Sequence, residues 1–296
     1  MEVQHVLVVG AGAMGSQIAL VCARAGLTVT CHDIDQDRIE GARRDLKERS
    51  TRDVAKGRRS QADEDGAWRR ITFGTDLAAL ATQADFVIEA AVEKLDVKRS
   101  LFAELDRLAP AHTILATNSS GFVPSKIADA TGRPDRVCNV HFFNPALVMK
   151  CVEVVAGPRT APETVAVAVD LVRRLGKTSV VLDKEIPGFI ANRILNAVRD
   201  EAIFLYENGV GSVDAIDTAC RTALGYPMGP FELMDLTGID IGYFTKQARY
   251  SETGDLRDAP SKSVIELVER GHLGRKVGRG WYVYDESGRR IAPSRS

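Results

Sequence analysis

The sequence predicts an α/β chain: a doubly wound, largely parallel sheet domain over residues 1–186 that carries an inserted helical arm, followed by an all-α C-terminal domain over 187–296. Three observations predict it. Short apolar, β-branched runs alternate with helical stretches as far as residue 182, a glycine-rich turn joins the first run to the first helix, and beyond Pro187-Gly188 the pattern is helical to about residue 270.

The order of elements follows from these patterns. "HVLVV" (5–9) is a strand, and "GAGAMGSQIALVCARAG" turns into a helix with Ile18, Val21, Cys22 and Ala25 at helical spacing before Gly26 stops it. "LTVTCHD" is the second strand, so the first 33 residues make a βαβ unit. Residues 36–70 hold no strand-like run and many helix formers, with Ile39, Ala42 and Leu46 on one stripe, and read as a pair of long helices inserted into the sheet domain. Alternation resumes with strands at 70–73, 85–91, 113–118, 136–144 and 151–155, and helices near 76–82, 94–108 and 162–175; "TSVVL" (178–182) is the last strand. "GFIANRILNAVRDEAIFLYENG" then opens the helical domain with Ile190, Ile194, Ala197, Ile203 and Leu205 supplying its apolar face, and the terminal "PSRS" reads as disordered.

Composition bounds the function. A chain of 296 residues with 45% hydrophobic and 27% charged residues can build a sizeable core. A net charge of -1 gives no general attraction to nucleic acid or an anionic membrane, so neither is expected as a partner. The five cysteines are scattered without metal-ligand spacing and read as reduced, packed thiols; no metal is expected. With no basic leader after Met1 and no apolar stretch of the length a membrane helix needs, the expected location is cytoplasmic.

Gly10, Gly12 and Gly15 match G-x-G-x-x-G in the required context of strand, turn and helix. Gly10 permits the turn, Gly12 lets the backbone approach a pyrophosphate, and Gly15 lets helix and strand pack closely. Ala13 and Met14 share the helix N-terminus that faces the phosphates. Asp33, 23 residues after Gly10, can accept from the ribose hydroxyls, which selects NAD over its 2′-phosphorylated form. The alternative is a turn that merely connects strand and helix, with Asp33 as a surface acid. His32 beside it reads as a packing or surface residue.

Three further places break the apolar pattern. "ATNSS" (116–120) and "HFFNP" (141–145) end successive strands where ligands of doubly wound sheets bind, and "GFIANR" sets Asn192 in the first turns of the second domain. Oxidation of an alcohol needs a base; histidine changes charge near neutrality, and a carboxylate on its second ring nitrogen would fix its tautomer. His141 and Glu153, twelve positions apart, can supply that pair if their strands are neighbours, with Phe142, Phe143 and the valines as walls. A buried histidine satisfied by hydrogen bonds, and Ser120 or Asn192 as cap or turn residues, are the competing assignments.

"GAGAMG", "ATNSS", "HFFNP" followed by "VEVV", "PGFIANRI" and "GYPMGPFELMDLTGID", in that order, resemble the short-chain L-3-hydroxyacyl-CoA dehydrogenase family, 3-hydroxybutyryl-CoA dehydrogenases among them, over residues 5–284. The resemblance implies a Rossmann-like domain joined to a helical one and reversible NAD-linked conversion of L-3-hydroxyacyl to 3-ketoacyl thioesters. It implies His141 as the catalytic base, Glu153 as its partner, Ser120 and Asn192 as residues hydrogen-bonded to the reacting oxygen and the substrate, and Glu93, Lys98, Ser120, Asn144 and Lys276 as NAD contacts. For Lys98 and Lys276 a solvated surface charge is the alternative.

The arm from Arg43 to Arg59 carries eight basic and three acidic residues. The resemblance places it beside the CoA moiety, whose phosphates such charge attracts, with Lys56 as a contact; a solvated helix face is the alternative. An acyl carrier protein thioester or another β-hydroxy acid would also be compatible, as would, in a different class, a non-catalytic NAD-binding structural protein. The helical domain is where members of the family dimerise, and Pro227, Met228 and Phe231 could serve either that interface or the domain's own core.

Overall fold

The computed structural model describes residues 1–293, apart from the side chains of Glu252 and Pro293. The chain divides into two compact units, Met1–Ile190 and the remainder from Ala191.

The first unit contains, in order, β1 (His5–Val9), α1 (Ala13–Arg24), β2 (Thr28–His32), α2 (Gln36–Ala55), α3 (Gln61–Trp68), β3 (Ile71–Gly74), α4 (Leu77–Ala81), β4 (Phe86–Glu89), α5 (Leu95–Leu108), β5 (Ile114–Thr117), α6 (Ser125–Ala128), β6 (Val137–Phe142), β7 (Cys151–Ala156), α7 (Pro162–Arg174) and β8 (Thr178–Leu182). The eight strands form one sheet in the order β3-β2-β1-β4-β5-β6-β7-β8. Every neighbouring pair is parallel except β6 with β7.

The central strands are continuous apolar runs because both faces are covered. Successive residues of β1 go to opposite sides: Val6 and Val8 join the core under α1, α2 and α7, while Leu7 and Val9 join the one under α4 and α5. Burial pushes the thiols of Cys22, Cys31 and Cys138 up to about 12, which leaves them protonated and inert.

The inserted arm is α2 and α3. Asp35 caps α2 and Ser60 caps α3, each accepting from backbone N–H groups of the first turn. Ile39, Ala42 and Leu46 are the buried stripe of α2, as their spacing predicts. Arg24 of α1 anchors the arm, donating to Asp53 at 3.1 Å and to the buried Glu64 at 2.9 Å. The 3₁₀ turn at 134–136 and the one-turn α6 are additions to the predicted order.

The first compact unit includes Phe189, which is fully buried among Val123, Val155 and Leu182. Gly188 and Phe189 both have positive φ, 78° and 49°, a strained conformation for phenylalanine that turns the chain inward.

The second unit holds α8 (Ala191–Glu207), α9 (Val213–Thr222), α10 (Pro230–Thr237), α11 (Ile239–Thr253) and α12 (Lys262–Glu269), then a small hairpin, β9 (Tyr282–Tyr284) with β10 (Arg290–Pro293). The hairpin is absent from the sequence reading. Pro293 ends its second strand, against the expectation of disorder there; the rest of "PSRS", residues 294–296, lies outside the described residues. Phe231 packs against Trp281 and Tyr206 in this unit's core, whereas Pro227 is exposed and Met228 half-buried.

Two buried carboxylates organise this unit. Asp217 accepts from the backbone N–H of Phe231 and Glu232 and from the Tyr282 hydroxyl. Asp235 accepts from the N–H of Trp281 and Tyr282 and from the Tyr284 hydroxyl. Burial pushes the Asp235 carboxyl up to about 6. An acid raised in the folded state contributes stability that is complete below its unfolded pKa near 3.8 and lost as pH rises through about 6. The stability difference between the unaltered protein and Asp235→Asn should therefore shift by about 2–3 kcal/mol in favour of the unaltered protein from pH 7.5 to pH 4. Urea unfolding at several pH values reads this, and a difference that does not change with pH would show that folding leaves the Asp235 carboxyl unshifted.

Candidate active site

The candidate site is built at the carboxyl ends of β1, β4, β5 and β6. At the first of these, Gly10 has a φ of 106°, and a Cβ there would lie 2.6 Å from the carbonyl oxygen of Ala90. A Cβ on Gly15 would overlap the carbonyl oxygen of Gly10, whereas one on Gly12 would meet nothing within 4 Å. The first two glycines named are thus demanded by the fold. Gly12 is not, and its bare backbone faces open space at the start of α1, where Ala13 is exposed, Met14 half-buried and no side chain caps the free N–H groups.

Asp33 follows β2 and is 8% exposed. Its Oδ2 accepts from Ala11 N at 2.8 Å and its Oδ1 from Asp35 N at 3.1 Å. The carboxylate therefore pins the glycine turn, and each oxygen keeps a lone pair for a ribose hydroxyl. These features fit a dinucleotide. His32 is a packing residue, buried with Nε2 3.2 Å from the carbonyl oxygen of Thr75.

His141 and Glu153 are cross-strand partners in the antiparallel β6–β7 pair. His141 Nδ1 lies 2.9 Å from Glu153 Oε2, with the two residues 5% and 1% exposed. The other carboxylate oxygen, Oε1, accepts from the backbone N–H of Ile190 at 3.0 Å. Among the described residues, Nε2 of His141 makes no hydrogen bond.

The aromatic walls differ from the sequence reading. Phe143 stands edge-on to the His141 ring at 4.5 Å between centroids, and Phe189 lies on it at 5.4 Å. Phe142 points to the opposite face of β6 and joins the apolar core with Val152 and Val154, because side chains alternate along a strand. Phe189 went unread: its sequence neighbourhood suggested only the start of a helix.

The β4 and β5 ends place the remaining first-unit candidates. Glu93 sits in the β4–α5 loop and accepts from the Ser119 hydroxyl and, at 3.2 Å, from Gly121 N. Lys98 is 1% exposed rather than a solvated charge; its ammonium lies 2.7 Å from Glu89 and 3.1 Å from Glu93. Ser119 is buried in this network and Ser120 exposed beyond it, so the second serine is the one open to a ligand. Asn139 donates to the carbonyls of Ser119 and Phe122, and Asn118 accepts from Phe142 N at 2.8 Å, tying this loop to β6. Glu89 and Asn139 were missed, though each is a polar residue inside an apolar strand run. Asn144 is exposed just past β6.

Lys56 caps the C-terminus of α2, exposed and without an ion pair among the described residues. By contrast Arg43, Arg58 and Arg59 of the arm face Glu40, Asp53 and Glu64. Asn192 and Lys276 belong to the second unit. Asn192 is half-buried at the start of α8, and Lys276 is paired with Asp240 at 2.6 Å.

Residues 5–186 match the family described as 3-hydroxyacyl-CoA dehydrogenase, NAD binding domain, and residues 188–284 match its C-terminal domain. The chain belongs to the 3-hydroxyacyl-CoA dehydrogenase family. It is accordingly an NAD-dependent oxidoreductase, and its cofactor is NAD. A relative named hydroxyacyl-coenzyme A dehydrogenase, mitochondrial, from Homo sapiens is 42% identical, the alignment covering 95% of this chain and 91% of that protein. A probable 3-hydroxybutyryl-CoA dehydrogenase from Bacillus subtilis is 39% identical over 97% of this chain and 99% of its own length. The solved structure of (S)-3-hydroxybutyryl-CoA dehydrogenase PaaH1 from Ralstonia eutropha superposes with a TM-score of 0.88 at 35% identity, covering 96% of this chain and all of that one. Among the described residues of this dehydrogenase no helix is long and apolar enough to cross a membrane.

Proposed function

We propose that this dehydrogenase interconverts L-3-hydroxyacyl and 3-ketoacyl thioesters of coenzyme A, with the 3-hydroxybutyryl and acetoacetyl pair as its preferred substrates and His141 as general base and acid. The His141–Glu153 pair carries this reading: a buried imidazole with one nitrogen held by a carboxylate and the other uncommitted is arranged to move a proton. NAD, when bound, supplies the hydride acceptor. His141 takes the hydroxyl proton of the substrate at Nε2 and returns it in the reverse direction. Glu153 keeps the Nδ1 proton in place and offsets the positive charge of the imidazolium. Phe143 and Phe189 keep water from the imidazole faces.

In the same reading, Ser120 donates to the reacting oxygen and Asn192 holds the substrate. Glu93, Lys98, Asn144 and Lys276 serve the cofactor. Of these, Glu93 and Lys98 share one network. Lys56, exposed and without an ion pair among the described residues, meets the phosphates of the CoA moiety. Exposed Leu236, Ile241 and Phe244 support a homodimer through the C-terminal unit.

Purified protein is expected to oxidise NADH in the presence of acetoacetyl-CoA, and to do so faster than with longer CoA thioesters, the free acids or carrier-protein thioesters. A rate seen only with the carrier-bound substrates would overturn the CoA assignment. NADH binding without turnover on any 3-ketoacyl compound would instead indicate a binding protein.

A further inference from the structure

Five residues at the ends of β4 and β5 form a closed ring of hydrogen bonds and ion pairs. Thr117 Oγ1 donates to Glu89 Oε2 at 2.6 Å, and Glu89 faces the Lys98 ammonium through both oxygens, at 2.7 and 3.0 Å. Lys98 reaches Glu93 Oε2 at 3.1 Å, and Glu93 Oε1 accepts from the Ser119 hydroxyl. Ser119 N then donates to Thr117 Oγ1 at 3.1 Å and closes the ring. Glu89 is fully buried and also accepts from Ala91 N at 2.7 Å.

The ring spans four pieces of chain that no single element connects: the β4 end, the loop carrying Glu93, the first turn of α5, and the loop carrying Ser120. The buried Glu89 carboxylate has the Lys98 ammonium against it, and the second carboxylate on that ammonium, Glu93, is half-exposed, so burial does not strand a charge. Thr117 and Ser119 are the neutral links, and Thr117 joins the Glu89 carboxylate at the end of β4 to the backbone of the loop carrying Ser120. Breaking it would free the second loop without uncovering a charge.

We infer that Thr117 and Glu89 are positioning residues that hold the Glu93 and Ser120 loops in one fixed arrangement at the cofactor side of the sheet. Their role in turnover rests on the function proposed above, whereas the loop order they impose does not. Neither need touch substrate or cofactor. They act through Glu93, Ser119 and the backbone of 118–122.

The test compares Thr117→Val, which keeps volume and loses the hydroxyl, with Thr117→Ser, which keeps the hydroxyl and loses the methyl. Amide exchange over 118–122 is expected to quicken about tenfold in Thr117→Val, the size of one lost hydrogen bond to a charged group. NADH affinity, read by fluorescence, and kcat at saturating substrates should each fall about tenfold. Thr117→Ser should restore all three, and Glu89→Gln should move the same amides further. Unchanged exchange in a folded Thr117→Val protein, or a Thr117→Ser protein as impaired as Thr117→Val, overturns the inference. Should Thr117→Val fail to fold, Ser119→Ala opens the ring at the half-exposed Glu93 side. It is expected to speed exchange at Gly121 and Phe122, and protection equal to the unaltered protein's would overturn the inference as well. Absence of turnover in the unaltered chain would sink the substrate assignment and leave the exchange and NADH-binding results to decide the ring.

Discussion

Replacement of His141 by glutamine is expected to lower kcat by about 10²–10⁴-fold while NADH affinity stays within about twofold. The two halves of the result have different physical origins. The turnover loss follows from removing a buried imidazole that has a carboxylate behind it and, among the described residues, an uncommitted nitrogen in front. Glu153 keeps the backbone N–H of Ile190 as a donor, and the β6–β7 pairing is made by backbone groups that the substitution leaves in place. Cofactor affinity is preserved because the glycine turn, Asp33 and the α1 N-terminus are built at β1 and β2, on separate strands of the sheet. Stopped-flow oxidation of NADH by acetoacetyl-CoA and a fluorescence titration check both. Normal turnover in His141→Gln would remove His141 from the mechanism.

Glu153→Gln is the second large effect, expected to cost about 10²–10⁴-fold in kcat without a change in shape. Its oxygen can still accept from Ile190 N, which places its NH₂ group against His141 Nδ1. The imidazole must then carry its proton on Nε2, the nitrogen that has to receive one. The loss thus comes from the wrong tautomer as well as from a missing counter-charge. Since both substitutions disable one device, the double variant His141→Gln/Glu153→Gln should be no more than a few-fold slower than either single variant. A fully multiplicative loss would show that the two residues act independently.

Much of the candidate site was legible in sequence because it rests on local chemistry. Gly10 and Gly15 are where a Cβ collides with backbone, and a strand-turn-helix of that length leaves no other solution. The arm's buried stripe, Ile39, Ala42 and Leu46, is likewise a matter of helical period alone. Lys98 shows the opposite case. A lysine in the first turn of a charged helix resembles a solvated residue, and only the folded chain places two carboxylates around its ammonium. Phe189 shows it again, since its left-handed backbone and its contact with His141 depend on where β7 and β8 lie.

By itself the sequence determined the principal strands and helices of the sheet domain and their order, the glycine turn with its acid at the end of β2, and the family to which the chain belongs. These are periodicities and spacings within a few dozen residues, enforced by backbone geometry. The tertiary structure decided that His141 faces Glu153 across an antiparallel register, that Phe189 rather than Phe142 walls the imidazole, and that Glu89, Lys98, Glu93, Ser119 and Thr117 close into a ring. Strand neighbours and register are set by how all the apolar faces pack at once, and a pattern read along the chain holds no record of which distant strand lies beside it.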